Sequence, residues 1–311
     1  MIKKKVLIFG ASGQIGRKII RKATLNNHKV TAVTRNIHKS LFLKTQSPLG
    51  YLDIVECNIF DEKNLRNLIK NHDVCINLVG ILFEKKNNTF ENIHVTFPKI
   101  LSKLCNEYGL DQFIHVSALG IEKAIDSKYA KSKLDGEKKV RENFNRFTIL
   151  KPSIVFSQDD NFTTKFMSLL NILPFFPIFY NTKFSPINCS NFSDIILEVI
   201  NKNICQETIE CVGPQVLTFR EIIEILLKLI NKKRFIVSMP FLLSKIMINF
   251  FELMPNPIMT LDQLKLLKYD NILSGQYKSN KDFGIISNLE FENEVKKYSY
   301  MWSDGGEFSR K

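Results

Sequence analysis

None of the six cysteines stands in a CxxC pair and the five histidines form no HExxH, so the chain offers neither a zinc-ligand pattern nor a disulfide framework. A reducing compartment is its expected home. No apolar run is long enough to span a bilayer. Residues 241–254 come nearest, but Lys245, Asn249 and Glu252 fall on one helical face and a proline stands at either end. That segment reads as a helix of a core, or as one that docks on a membrane surface or a partner. No block of like charge is interleaved with aromatics as a nucleic-acid groove requires, although the formal net charge is +13; nucleic acid is not an expected partner. The residues Met1-Ile2-Lys3-Lys4-Lys5 leave no room for an apolar signal or amphipathic transit segment before the first apolar run. Cytoplasmic location is expected, unless a presequence has been removed.

What the sequence does contain is a regular alternation. Its 311 residues, 44% of them hydrophobic, suffice for a full core. Apolar runs at 6–9, 29–33, 52–56, 74–79, 113–117 and 148–151 alternate with helical patterns at 14–24, 62–70, 89–108 and 128–143. Short apolar runs separated by helices predict βαβ units, hence an α/β fold: a Rossmann-type, doubly wound parallel sheet over residues 1–152. After Pro152 the rhythm breaks into loops rich in Phe and Pro, with helical patterns at 192–201 and 218–230. Residues 153–311 are expected to form a smaller C-terminal α/β lobe, partly interleaved with the first domain.

The first run, Val6-Leu7-Ile8-Phe9, leads straight into Gly10-Ala11-Ser12-Gly13-Gln14-Ile15-Gly16. Glycines between a buried strand and a helix let the backbone turn sharply and approach a pyrophosphate on the helix N-terminus. Gly10, Ser12, Gly13, Gln14, Ile15 and Gly16 are therefore the first candidate cofactor-binding residues. The second run ends Val33-Thr34-Arg35-Asn36, where an NAD-selective domain places an acid. Arg35, with His38 and Lys39 nearby, suits the 2′-phosphate of NADP(H), so NADP(H) is preferred and NAD(H) is the alternative. Asn58, Val79, Gly80 and Pro152, which follow or close later strands, complete the expected cofactor set; at Gly80 the lack of a side chain lets a nicotinamide lie close to backbone.

Catalytic candidates follow the fifth run. It ends His115-Val116-Ser117-Ala118, and Tyr129-Ala130-Lys131-Ser132-Lys133 comes next, a YxxxK whose two functional side chains share one helical face. A phenol with an ordinary pKa of about 10 is a poor proton shuttle at neutral pH, and an adjacent ammonium is expected to lower it. Ser117 is expected to hold a substrate oxygen beside Tyr129. A second match, Tyr277-Lys278-Ser279-Asn280-Lys281, lies late in the chain in a loop-like stretch and is read as a chance occurrence.

These residues, together with Val116-Ser117-Ala118-Leu119-Gly120, Lys128-Tyr129 with Lys133 and Gly136-Glu137, Leu150-Lys151-Pro152-Ser153-Ile154-Val155-Phe156 and Gly213-Pro214-Gln215-Val216-Leu217-Thr218-Phe219-Arg220-Glu221, carry a resemblance over nearly the whole chain. The sequence resembles the atypical, extended short-chain dehydrogenase family (NAD-dependent epimerase/dehydratase-like), whose members include the NADPH-binding accessory subunit of respiratory complex I. The resemblance implies tightly held NADP(H) and a link to the respiratory chain or ubiquinone metabolism. It also implies membrane-associated respiratory subunits or a quinone-related substrate as partners, with peripheral contact at the inner membrane, on the matrix side in a eukaryote. It does not imply turnover. The alternatives are an active NADPH-dependent reductase or epimerase using Ser117, Tyr129 and Lys133, and a redox-sensing regulator. Ser157 departs from the glycine that many relatives place there, which bears on substrate contacts. Phe175, Phe176, Phe179 and residues 241–254 are expected to supply an exposed docking surface.

Overall fold

The computed structural model describes residues 3–252, 257 and 259–309, without the side chains of 241–243, 250, 251, 308 and 309. The six apolar runs are strands to within two residues: β1 (Lys5–Phe9), β2 (Lys29–Thr34), β3 (Leu52–Glu56), β4 (Val74–Asn77), β5 (Gln112–Val116) and β6 (Phe147–Pro152). Between them run α1 (Gln14–Leu25), α2 (Glu62–Ile69), α3 (Phe97–Glu107) and α4 (Lys128–Asn143). β1 shows why the runs are so apolar. Its Val6 and Ile8 pack with Ile19 and Ile20 of α1, while Leu7 and Phe9 pack with Leu65 of α2 and Phe97 of α3. A parallel strand covered on both faces has no polar side to show.

Two strands the sequence did not announce extend this sheet: β7 (Glu207–Cys211) and β8 (Lys278–Ser279). The order is β8-β7-β6-β5-β4-β1-β2-β3, and every pairing is parallel. The winding reverses between β1 and β4, and in such sheets a ligand lies outside the carboxyl ends of the strands at that reversal. The later half of the chain also contributes α6 (Cys189–Asn201), whose Phe192 and Ile196 join the core under α1.

The remaining elements build a second core. α5 (Thr163–Ile172), α7 (Phe219–Leu229) and α10 (Phe291–Lys296) enclose it with a parallel pair of short strands, Phe175–Ile178 and Phe235–Ser238. α8 (Phe241–Glu252) and the short α9 (Leu261–Leu266) lead from this lobe back toward α4. Phe176 is buried in the lobe core, which corrects its expected place in an exposed docking surface. Phe175 is exposed and Phe179 half-buried. In α8, Ile248 is buried while Lys245 and Asn249 are exposed. The side chains of Phe250 and Phe251, and residues 253–256, lie outside the described residues.

The helix expected over 89–108 is interrupted. A π-helical turn, Glu91–Thr96, runs into α3, and such turns aim backbone and side chains away from regular helical positions. Here the turn brings the His94 carbonyl against α4 at Gly136, where a methyl group would stand 1.9 Å from that oxygen. Gly136→Ala is therefore expected to destabilise the protein by about 1–3 kcal/mol through overpacking against backbone, read as a lower denaturant midpoint at unchanged m. An unchanged midpoint would show that α4 can move away freely.

Candidate cofactor site

The glycine turn occupies the reversal between β1 and β4. Gly10 has φ +80°, and a methyl there would lie 3.1 Å from the Leu78 carbonyl carbon just past β4. At Gly16 a methyl would lie 2.4 Å from the Ala11 carbonyl oxygen, so neither position admits a side chain without moving backbone. α1 starts after Gly13 with no side-chain cap and no acid in its first turn. A helix end left this way presents unpaired amides and the positive end of its dipole, as a diphosphate requires. Ser12 is exposed at this turn, and Ile15 packs on the core beneath it. Gln14 is engaged elsewhere: its side chain donates to the Val155 carbonyl (3.3 Å) and accepts from Ser157 Oγ (2.8 Å). Ser157 thus ties the turn to the segment after β6.

Along the β2 edge, Arg35 is exposed and makes no contact with a protein acceptor among the described residues. Glu56, opposite Thr34 in register, accepts the Ile37 N–H (2.9 Å). The buried Thr34 hydroxyl has no hydrogen-bond partner among the described residues, an unpaired polar atom at the strand end. Sequence reasoning missed Arg17, whose guanidinium lies 5.7 Å from the Phe42 ring and pairs with Asp159 beside the glycine turn. A basic residue directly after Gly16, in the first turns of a phosphate-binding helix, was the available signal. Asn58 spends its side-chain oxygen on the Phe60 N–H (3.0 Å), and Pro152 is buried with its carbonyl taken by Leu119 N–H (3.0 Å).

At the other end of the site, Tyr129, Lys133, His94 and Gly80 come together. Lys133 is buried, and its Nζ donates to the Val116 carbonyl (3.2 Å), leaving two protons without a protein acceptor among the described residues. A methyl at Gly80 would be 3.4 Å from that Nζ and 3.8 Å from His94 Nε2. Val79, before it, is half-buried, and its N–H donates to Asn77 Oδ1 (3.1 Å). His94 Nε2 accepts the Ile81 N–H (3.1 Å), so the proton belongs on Nδ1, which faces Ser132 Oγ at 2.8 Å. Burial first, then the Lys133 charge, pushes the His94 pKa down to about 2, so this ring is a neutral strut. The Tyr129 ring meets His94 and Phe90 edge-on, at 5.3 and 5.9 Å between centroids.

Two features bear on the proton-shuttle expectation. Burial pushes the Tyr129 phenol up to about 12, and it pushes the Lys133 ammonium down to about 8; the lysine does not draw the phenol toward neutrality. Ser117, moreover, gives its hydroxyl to Glu137 Oε1 (2.6 Å) rather than to the Tyr129 side. That carboxylate is buried with Lys151 (3.0 Å) and Arg141 (3.1 Å) in an ionic cluster between α4 and β6. Ala118, not Ser117, packs in the apolar cluster that contains Tyr129, Ile121 and Leu266. Tyr277 is elsewhere, its ring 4.8 Å from Lys151 Nζ.

The arrangement fits a dinucleotide: an uncapped helix N-terminus, glycines at the closest approaches, an unpaired Thr34 hydroxyl and a buried ammonium with donors to spare. The sign of the pH dependence follows from Lys133. Between its folded value of about 8 and its ordinary value near 10.5 the unfolded chain binds more protons, so stability rises with pH through that window and levels off below 8, where both states carry the proton. Measured against Lys133→Met, which has no such proton, the wild type should gain stability from pH 8 to pH 10; parallel curves for the two proteins would contradict the burial of this charge.

The family model described as NAD(P)H-binding matches residues 10–170, starting at Gly10, and the RmlD substrate binding domain model matches 123–221. The chain is similar to the mitochondrial NADH-ubiquinone oxidoreductase 40 kDa subunit of Neurospora crassa, 27% identical over 89% of this chain and 74% of that protein. It is likewise similar to NADH dehydrogenase [ubiquinone] 1 alpha subcomplex subunit 9 of Mus musculus, 24% identical over 96% of this chain and 82% of that one. Among solved structures, the UDP-glucuronic acid 4-epimerase of Bacillus cereus in complex with UDP-glucuronic acid and NAD shares the fold. Its TM-score is 0.70 at 18% identity, covering 95% of this chain and 98% of that chain. With a family model spanning more than half its length and beginning on the glycine turn, the chain belongs to the NAD(P)H-binding family.

Proposed function

We propose that this protein holds NADP(H) tightly as an accessory component of a membrane-associated respiratory complex, and that the cofactor there is structural. The observation that carries the second part is the placement of Ser117 and Tyr129. A hydride-transfer site needs a group that exchanges a proton near neutral pH and a donor for the substrate oxygen. Here the phenol is raised to about 12, and the serine hydroxyl belongs to Glu137. When bound, a nicotinamide dinucleotide supplies hydride chemistry; Lys133, Gly80 and His94 would hold its nicotinamide side, and the α1 N-terminus its diphosphate.

The preference for NADP(H) over NAD(H) rests on Arg35, exposed at the end of β2 with no protein acceptor among the described residues. The nearest acid in register, Glu56, is held by Ile37. The respiratory assignment rests on the relatives, which are named as complex I subunits in a fungus and an animal. No helix among the described residues is long and apolar enough to cross a membrane, so contact with one is proposed as peripheral. Phe175 and Phe235 support it, being exposed side by side in register on the lobe.

Arg35→Ala should weaken NADPH binding roughly ten- to a hundredfold, the loss of a charge-assisted phosphate contact, and leave NADH binding nearly unchanged. Equal losses for both would rule out that role. Native protein purified in mild detergent should bring respiratory subunits with it, and its bound NADPH should survive added quinones. Steady oxidation of that NADPH by a quinone would establish the reductase reading instead.

A further inference from the structure

α4 carries Tyr129 and Lys133, and its N-terminus is capped from two directions. The first is local: Ser127 Oγ accepts the Ala130 N–H (3.2 Å), and the Ser127 N–H donates to the Ala124 carbonyl (3.0 Å). The second comes from far along the chain. Asp262, in the first turn of α9, accepts the Lys128 N–H on Oδ1 (2.7 Å) and both the Tyr129 N–H (2.9 Å) and the Ser127 hydroxyl (2.8 Å) on Oδ2. Every amide that an α-helix leaves unpaired at its start is thereby satisfied, half of them by one carboxylate of the C-terminal segment.

This carboxylate is itself held in place. Thr260 and Gln263 form a capping box around it, and Glu252 at the end of α8 accepts the Leu261 N–H (2.7 Å). From the same segment Leu266 and Tyr269 pack in the apolar cluster with Tyr129 and Ala118. Lys268 pairs with Asp126 (3.2 Å) and Lys265 Nζ donates to the Asp126 carbonyl (3.0 Å), which brings the loop before α4 into the contact. A chain of contacts therefore runs from Glu252 of α8 through α9 to the first turn of the helix whose Lys133 lies near Gly80.

We propose that Asp262 is a positioning residue for the cofactor site: it fixes the α4 N-terminus from the C-terminal lobe, so that dinucleotide binding and the ordering of α9 are thermodynamically linked. The proposal rests on the reading of this site as a dinucleotide site. Linkage is reciprocal, so bound NADPH must tighten α9 as much as an ordered α9 tightens NADPH binding.

The test compares wild type, Asp262→Ala, Asp262→Asn and Asp126→Ala in the full chain. NADPH affinity is measured by nicotinamide fluorescence, and amide hydrogen exchange is followed over residues 261–267 with and without NADPH. Asp262→Ala should bind NADPH about tenfold more weakly, the size of a lost helix cap. Its 261–267 amides should no longer gain protection when NADPH is added, whereas those of the wild type do. Asp262→Asn, which keeps an acceptor, should fall between and serves as the decisive variant if the alanine protein does not fold. Asp126→Ala cuts the neighbouring ion pair without touching the α4 amides, and should bind NADPH within about twofold of wild type even if its melting temperature falls. Undiminished affinity in a folded Asp262 variant overturns the proposal, as does an equal loss in Asp126→Ala, which would mark general loosening of the lobe. Failure of the wild type itself to bind NADPH would overturn the functional reading and this inference together, and the two failures are told apart by that one titration.

Discussion

The arrangement depends on how closely α4 is pressed onto the parallel sheet. One buried face of that helix carries four consecutive commitments: Tyr129 edge-on to His94, Lys133 on the Val116 carbonyl, Gly136 without a side chain under the His94 carbonyl, and Glu137 in the ionic cluster with Ser117 and Lys151. Burial at this depth makes each polar group expensive unless paired. Glu137 and Lys151 satisfy each other; Lys133 is left with a single protein acceptor among the described residues. It is the one cation of the face with unused donors in a site shaped for a dinucleotide.

In the function proposed here, the same packing separates holding a cofactor from using it. An enzyme of this fold needs the tyrosine proton to move, and desolvation without an opposing field raises the phenol instead of lowering it. Fold likeness to sugar-nucleotide epimerases cannot decide the matter, since one scaffold carries many activities. The decision lies with individual atoms. Here the Ser117 hydroxyl is engaged by Glu137, and Ala118 shares the apolar cluster of the tyrosine.

Much of this was legible in the sequence, for identifiable reasons. Parallel strands buried on both faces must read as apolar runs, so β1 to β6 stand out, and the glycine turn announces itself because backbone leaves no room for Cβ at Gly10 and Gly16. β7 and β8 were not legible: neither is a continuous apolar run, and each is a strand because it adds to an open edge, β7 to β6 and the two-residue β8 to β7. Nor does local sequence say which of Ser117 and Ala118 faces Tyr129, since the irregular turn over residues 119–127 sets that. The π-helical turn that aims His94 leaves no periodic trace, and Thr260-Leu261-Asp262-Gln263 reads as a helix start without revealing that its carboxylate caps a helix more than a hundred residues earlier.

The most direct measurement is the nucleotide content of the protein taken from its own cells, purified without added cofactor, dialysed at length and then denatured. Close to one equivalent of NADP(H) per chain, retained through dialysis against excess NADH, is the result this account predicts. Protein that carries no dinucleotide, or one that exchanges freely with NADH in the buffer, would contradict it.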